Sequence, residues 1–211
     1  MNLLILQPIR PNHPTALRAI AAALLARLVL PDGWTAEVRQ DDAPVTPPPS
    51  PSIYAKHPAV RNHMLDTYLR PDHDRVLWVD SDLVDYPADL VPRLHAIAPD
   101  GIAAPWVELD RHPGRFYDIG GFIERGRRFG VAPPHCVQPG DVVDLDSVGC
   151  VYLAPAALYH DGVRYAPPPT DYYVEHWSAM QAARQRGIPV RATRALTARH
   201  AFLPDFGLPL N

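Results

Sequence analysis

Arg75-Val76-Leu77-Trp78-Val79-Asp80-Ser81-Asp82 is the stretch on which the fold turns. Residues 75–79 form a continuous run of strand length with no polar alternation after Arg75. That pattern belongs to a strand buried on both faces, as in a parallel sheet covered by helices. The run stops abruptly at paired acids. In open α/β sheets ligands bind beyond the carboxyl ends of the strands, so Asp80 and Asp82 are expected to face a site rather than the core. Hard divalent cations take oxygen ligands, and one or two carboxylates are the usual protein share for magnesium or manganese, with substrate phosphates completing the shell. The other role open to the same two acids is to cap the turn that follows, where aspartate is favoured.

The pattern outward from this strand is one of alternation. Toward the N-terminus, Asn2–Pro8 reads as a short apolar strand and Pro14–Leu30 as a helix announced by His13-Pro14-Thr15. Thr35–Arg39 reads as a second strand ending at Asp41-Asp42. Residues 43–51 carry five prolines in nine positions and are expected to be an extended loop inside the domain. Ile53–Leu69 then has helical spacing, stopped by Pro71. Toward the C-terminus follow a helix over Leu90–Ala98, a strand over Ile102–Trp106, and an irregular Gly/Pro/Arg-rich stretch over Arg111–Gln138. A strand over Val142–Leu153, interrupted by the polar cluster 144–149, precedes a helix over Thr170–Arg186 and a strand over Pro189–Ala192. Strands alternating with helices imply an α/β fold, with a mixed, mostly parallel sheet flanked by helices. We expect one domain over residues 1–211, with a nucleotide-binding half (1–110) and an acceptor half (111–211).

Composition narrows the function classes. The chain has 211 residues, 47% hydrophobic and 20% charged, enough for one full core. Its 26 prolines against 12 glycines exceed twice the usual load of about 5%, which excludes a bundle of long helices. A net charge of -3 with no basic run points away from a protein that coats nucleic acid. DNA is open only as an acceptor, for which Arg111, Arg115, Arg125, Arg127 and Arg128 mark the candidate segment; the alternative for them is a solvated loop. Cys136 and Cys150 lack metal-site spacing and suggest a reducing compartment. No apolar stretch reaches the ~20 residues that span a bilayer, and no leader pattern opens the chain, so the expected setting is cytoplasmic, without a membrane partner. The sequence does not indicate an oligomeric state.

The acid pair and its strand resemble the metal-site motif of glycosyltransferases of the GT-A fold. Within that fold the likeness is to the fungal mannan-polymerase type of α-mannosyltransferase. Residues 75–92 are similar to that family's metal-site strand and the helix after it. Val143-Asp144-Leu145-Asp146-Ser147-Val148-Gly149-Cys150-Val151 is similar to its acid-x-Asp-Gly-Val-Gly-Gly segment, and Glu175-x-Trp177-x-x-Met180 to its Glu-x-Phe-x-x-Met helix. Ser147 and Cys150 stand where the family has glycine, Gly120 follows Tyr117-Asp118 where it usually has asparagine, and no N-terminal anchor run is present.

The resemblance implies a Mn2+- or Mg2+-dependent transfer of a hexose from a UDP- or GDP-sugar to a hydroxyl acceptor, with retention of configuration. It implies Asp82 as a direct cation ligand, Asp80 on the cation, the ribose or both, and His200 completing the shell. Asp146 would contact the donor sugar. Asp144 and Ser147 belong to the same polar cluster, with a bulge facing solvent as the alternative for Asp144. Asp41 and Asp42 end a strand where acids bind ribose or base, or serve as turn residues before the proline loop. Arg61 is placed to face the nucleotide, and Lys56, the only lysine, either joins it or lies on a solvated face. Asp118 sits beside Gly120-Gly121 in a loop suited to cover a sugar, or in an ordinary turn. Asp171 and Glu175 lie four apart at a helix start. There Glu175 either orients the acceptor hydroxyl, as the base of an inverting enzyme, or stabilises the helix dipole. Two rival readings remain at this stage, a sugar-1-phosphate nucleotidyltransferase of the same fold and a catalytically silent nucleotide- or metal-binding protein. The first counts on a Gly-rich loop after the first strand, which Gln7-Pro8-Ile9-Arg10-Pro11 does not supply.

Overall fold

A computed structural model describes residues 1–9, 13–41, 56–118, 120–128, 142–169 and 174–201. The elements run β1 (Asn2–Pro8), α1 (Thr15–Ala26), β2 (Thr35–Asp41), α2 (Lys56–Tyr68), β3 (Arg75–Val79), β4 (Leu83–Asp85), α3 (Leu90–Ile97) and β5 (Ile102–Leu109). They continue with β6 (His112–Phe116), β7 (Ile123–Glu124), β8 (Arg127–Arg128), β9 (Val142–Asp144), β10 (Val151–Pro155), α4 (Ala156–His160), α5 (His176–Gln185) and β11 (Val190–His200).

A nine-stranded sheet has the order β2-β1-β3-β10-β5-β11-β4, with β6 added on β5 and β9 on β11. β1 pairs in parallel with β2 and β3, and β5 in parallel with β11, while β10 runs antiparallel to both β3 and β5. The strands β1, β2, β3, β5 and β11 therefore all point the same way, with one reversed strand between β3 and β5. All five residues of β3 are buried, as the apolar run requires, and elements of both halves of the chain share this one sheet. Pro58 and Pro92 fall in the first turns of α2 and α3, where a missing N–H costs nothing. Among the described residues no helix is long and apolar enough to cross a membrane.

Three expectations change. The strand expected over Val142–Leu153 is two strands with different partners: β9 pairs with β11 and β10 with β3 and β5. The strand expected to end at Ala192 runs on to His200. Its pairing with β5 skips from Thr193, opposite Pro105, to Thr197, opposite Trp106. Proline cannot donate to a ladder, and the partner strand bulges there, which breaks the period-2 pattern that would have revealed its length. The helix expected from Thr170 starts at His176, and of its expected first turn residues 170–173 lie outside the described residues.

Candidate functional site

The residues that leave the carboxyl ends of β3, β5 and β11 converge. Asp80 follows β3, its N–H donating to Cys150 O at 2.9 Å, and Ala201 N–H, just past β11, donates to Asp82 O at 2.8 Å. These bonds tie the ends of the two strands together. Asp82 and His200 are both buried, and Asp82 Oδ1 lies 2.9 Å from His200 Nε2. His200 Nδ1 donates to Ala201 O at 2.8 Å, and its ring is stacked on Tyr117 at 3.7 Å between centroids. A ring nitrogen bonded to a backbone carbonyl directs the other toward a ligand, the arrangement usual for metal-binding histidines. Burial opposes protonation of His200, but Asp82 outweighs it and raises the imidazole pKa.

Asp80 has another partner. Arg61, on α2, is buried and donates from Nη2 to Asp80 Oδ1 at 2.9 Å and from Nε to Glu175 Oε1 at 3.3 Å. Its guanidinium carbon lies 4.8 Å from the centroid of the Trp78 ring, and Nη1 is buried without a hydrogen-bond partner. Glu175 also accepts from His57 Nδ1 at 3.4 Å. Burial opposes its ionisation, yet His176, His57 and Arg61 hold its pKa well below the ordinary carboxylate range. Of these Arg61 carries the permanent charge, because burial pushes His176 down to about 3 and leaves it neutral at physiological pH. Arg61 Nη2 and Glu175 Oε1 both approach His176 Nε2, at 3.4 and 3.3 Å, and Nδ1 faces the Tyr152 hydroxyl at 3.4 Å. From there hydroxyls continue through Tyr165 and Tyr159 to Trp78 Nε1.

Asp118 completes the acidic group. Its Oδ1 accepts the Gly121 N–H at 2.9 Å, its Oδ2 is buried without a hydrogen-bond partner among the described residues, and the weakly donating Cys150 thiol lies beside the carboxyl. Burial pushes this carboxyl up to about 7. A Cβ on either Gly121 or Gly149 would lie 2.5 Å from its oxygens, so both glycines are there for close approach. Cys150, which stands where the resembled segment has glycine, has φ 55, a left-handed conformation that glycine adopts without strain.

The remaining expected residues separate into those placed near this end of the sheet and those that are not. Asp41 ends β2 and accepts from the Tyr68 hydroxyl at 3.0 Å, with His63 Nε2 at 3.4 Å. Ser147 is fully buried with Oγ unpartnered. Asp146 is held by Arg184 and by Gly126 N–H at 2.6 Å. Asp144 does not join the cluster. It is exposed and paired with Arg191 at 3.0 Å beside the start of β11, whereas His200 ends that strand. Asp42 and Asp171 lie outside the described residues, as does the side chain of Lys56. The arginines of the 111–128 segment sit on two hairpins, β5–β6 and β7–β8. His57, His176 and the three linked tyrosines carry no sequence signal, because only the folded chain brings them to the two acids.

Among the described residues no three His, Cys, Asp or Glu side chains form a ready cation cage. Asp82 and His200 supply two convergent donors with an oriented imidazole, the open kind of site that leaves positions for phosphate oxygens.

No family model matches the sequence, and no curated protein matches it. The resemblance to the mannan-polymerase type therefore stays one of motifs. Among solved structures, the catalytic domain of Drosophila beta1,4galactosyltransferase 7, in complex with xylobiose, superposes with a TM-score of 0.52 at 11% identity. The match covers 92% of this chain and 65% of that one, so the chain spans just under two thirds of its length. At this identity the likeness is one of fold alone. A protein of Desulfovibrio desulfuricans provisionally named a nucleotide-diphospho-sugar transferase matches over 90% of this chain and 78% of its own, with a TM-score of 0.42 and 12% identity. The acidic cluster occupies the carboxyl edge of the sheet beside β3, and the strand order reverses between β1 and β3.

Proposed function

We propose that the chain is a glycosyltransferase that moves a hexose from a nucleoside diphosphate sugar to a hydroxyl, with a divalent cation at Asp82 and His200. The observation that carries this reading is the buried Asp82–His200 pair, its imidazole oriented by Ala201 O, beside Asp80 at the carboxyl edge of this fold. A bound Mn2+ or Mg2+ would neutralise the diphosphate as the sugar–phosphate bond breaks.

The chain's own residues supply the rest. Asp41, at the end of β2, is placed for ribose or base. Arg61 adds a permanent positive charge beside Asp80. Tyr117 covers the His200 ring and shields it from water. Glu175, ionised and held by Arg61 and His57, is a weak proton acceptor, which favours its serving as an anchor over its serving as the base of an inverting transfer. That agrees with the retention that the motif resemblance implies. A saccharide hydroxyl is the acceptor class we favour, given the xylobiose bound by the structural neighbour.

The test is a panel of UDP- and GDP-hexoses, followed by thermal shift and by hydrolysis, with Mn2+ and with a chelator. The expected result is one donor that stabilises the protein and turns over only with the cation, a response absent from Asp82→Ala. A folded protein that neither binds nor turns over any nucleotide sugar rules the reading out.

A further inference from the structure

Asp80 and Asp82 leave the same strand but have different partners, and the partners differ in freedom. Asp82 faces His200, with side-chain exposures of 5% for both. Asp80 faces Arg61, and here the exposures are 26% for Asp80 and 3% for Arg61. Arg61 is pinned on its other sides by Glu175 at 3.3 Å, itself 6% exposed, and by the faces of Trp78 and Tyr165 at 4.8 and 5.7 Å. Moving the guanidinium would strand Glu175, a buried carboxylate, without its permanent countercharge. Moving the Asp80 side chain leaves Arg61 its second carboxylate, Glu175, and the backbone of residue 80 is fixed independently by its bond to Cys150 O and by Leu83 N–H donating to its own carbonyl at 3.4 Å. Of the Asp80–Arg61–Glu175 chain, Asp80 alone can change partner by rotating its side chain.

We propose that Asp80 is a carboxylate with two stations, Arg61 in the cation-free molecule and the Asp82–His200 site in the cation-loaded one, so that Arg61 sets the affinity for the cation. The inference rests on Asp82 and His200 being the cation site. Two physical effects act in the same direction. Arg61 competes for an oxygen that the cation needs, and its charge repels a divalent ion bound beside it. The guanidinium is therefore a brake on cation binding, and the salt bridge it makes with Asp80 is the quantity that a cation must overcome. Because the same guanidinium holds Glu175, the cation side and the acceptor side of the site share one residue.

The experiment is calorimetric titration of Mn2+ into the full chain, without nucleotide, for wild type, Arg61→Lys, the charge-balanced double variant Arg61→Met/Glu175→Gln, and Asp82→Asn. Circular dichroism reports folding, and Arg61→Lys guards against failure of the double variant to fold. The expected result is that the double variant binds Mn2+ about tenfold tighter or more, with Arg61→Lys between it and wild type. Asp82→Asn is expected to abolish binding. Unchanged or weaker Mn2+ affinity in the folded Arg61 variants, with binding intact in wild type, overturns the two-station role and leaves the cation site standing. Absence of Mn2+ binding in all four proteins overturns the cation site and the inference with it. Binding that appears only in the Arg61 variants supports both.

Discussion

At the carboxyl end of β11, Asp80, Asp82, Asp118 and Glu175 are gathered around one buried guanidinium and a buried imidazole. At the opposite end of the same strand, Asp144 and Asp146 each have an arginine of their own, Arg191 and Arg184, on the wall of a cavity of about 650 Å3. The arginines of the second group are 37% and 45% exposed, whereas Arg61 is 3% exposed. The exposed Asp144–Arg191 pair contributes little, with a median of about 0–1 kcal/mol for such pairs, and the buried Asp146 carboxylate has a solvent-open arginine of its own as countercharge. Burying several carboxylates with fewer cations than they need costs stability, and folds keep such an arrangement where a ligand is meant to supply the missing charge. The difference marks the first group as the candidate site without reference to any motif.

The largest expected effect is on turnover. Asp82→Ala should lower cation-dependent sugar transfer by on the order of a hundredfold or more, while Asp144→Ala should leave it within about twofold. Steady-state rates with the donor found in the panel read both, and equal losses would erase the distinction between the two ends. Next in size is a stability contrast. Arg61→Ala is expected to cost about 3–5 kcal/mol, since it leaves buried carboxylates uncompensated, and Arg184→Ala under about 1 kcal/mol. Urea denaturation measures each, and a cost for Arg184 as large as that for Arg61 would count against the contrast.

Glycines give a smaller contrast. A Cβ at Gly149 would meet Asp118 Oδ2 at 2.5 Å and His176 Cδ2 at 2.9 Å, so Gly149→Ala should cost about 1–3 kcal/mol through overpacking. Gly126, near Asp146, has open space around it and φ 74, so Gly126→Ala should cost only the conformational strain of about 1 kcal/mol. Activity is the sharper readout for this pair, because only Gly149→Ala displaces residues of the cluster.

The last effect is on the pH dependence of stability. Asp118 has its pKa pushed up to about 7, so the folded chain keeps a proton that the unfolded chain loses near pH ~3.9. The stability this group contributes is full below that lower value and is lost as pH rises toward 7. His176 acts in the opposite sense: its folded pKa is depressed to about 3, so its contribution is present above about pH 6.5 and is lost as pH falls through 3. Asp118→Asn should therefore gain on wild type by about 1.4 kcal/mol per pH unit between about pH 4 and 7 and hold level above it. Melting curves across that range, subtracted variant from wild type, isolate the term, and a flat difference would show that Asp118 is not a buried acid of this kind.

How much of this was readable beforehand follows from the kind of interaction involved. The apolar run at residues 75–79 and the acids after it required β3, its burial and a polar edge at its carboxyl end, because burial on both faces and an abrupt polar stop are local properties. The pairing of Asp82 with His200 was legible only through resemblance, since 118 residues of chain separate them. Glu175 was expected on a helix face at the acceptor side, but it precedes α5 and turns inward to Arg61. Nothing in residue spacing reports a partner 114 positions away. The length of β11 was hidden by Pro105, a residue of its neighbour, and the partition of Asp144 from Asp80 by a change of pairing partner between β9 and β10. Local pattern shows where polar groups are out of place, and long-range pairing decides which of them meet.

β11 also fixes when the site can exist. It is the last described strand of the chain, yet it lies between β5 and β4 and carries His200 at its end. During synthesis β5 therefore waits with an open edge until residues 190–200 have left the ribosome, and Asp82 waits for its histidine over the same interval. A nascent or truncated chain that stops short of residue 190 presents an unpaired, buried-type strand, β5, as a template for other chains. Completion of the sheet and completion of the acidic site are one event, so a partly made protein has neither.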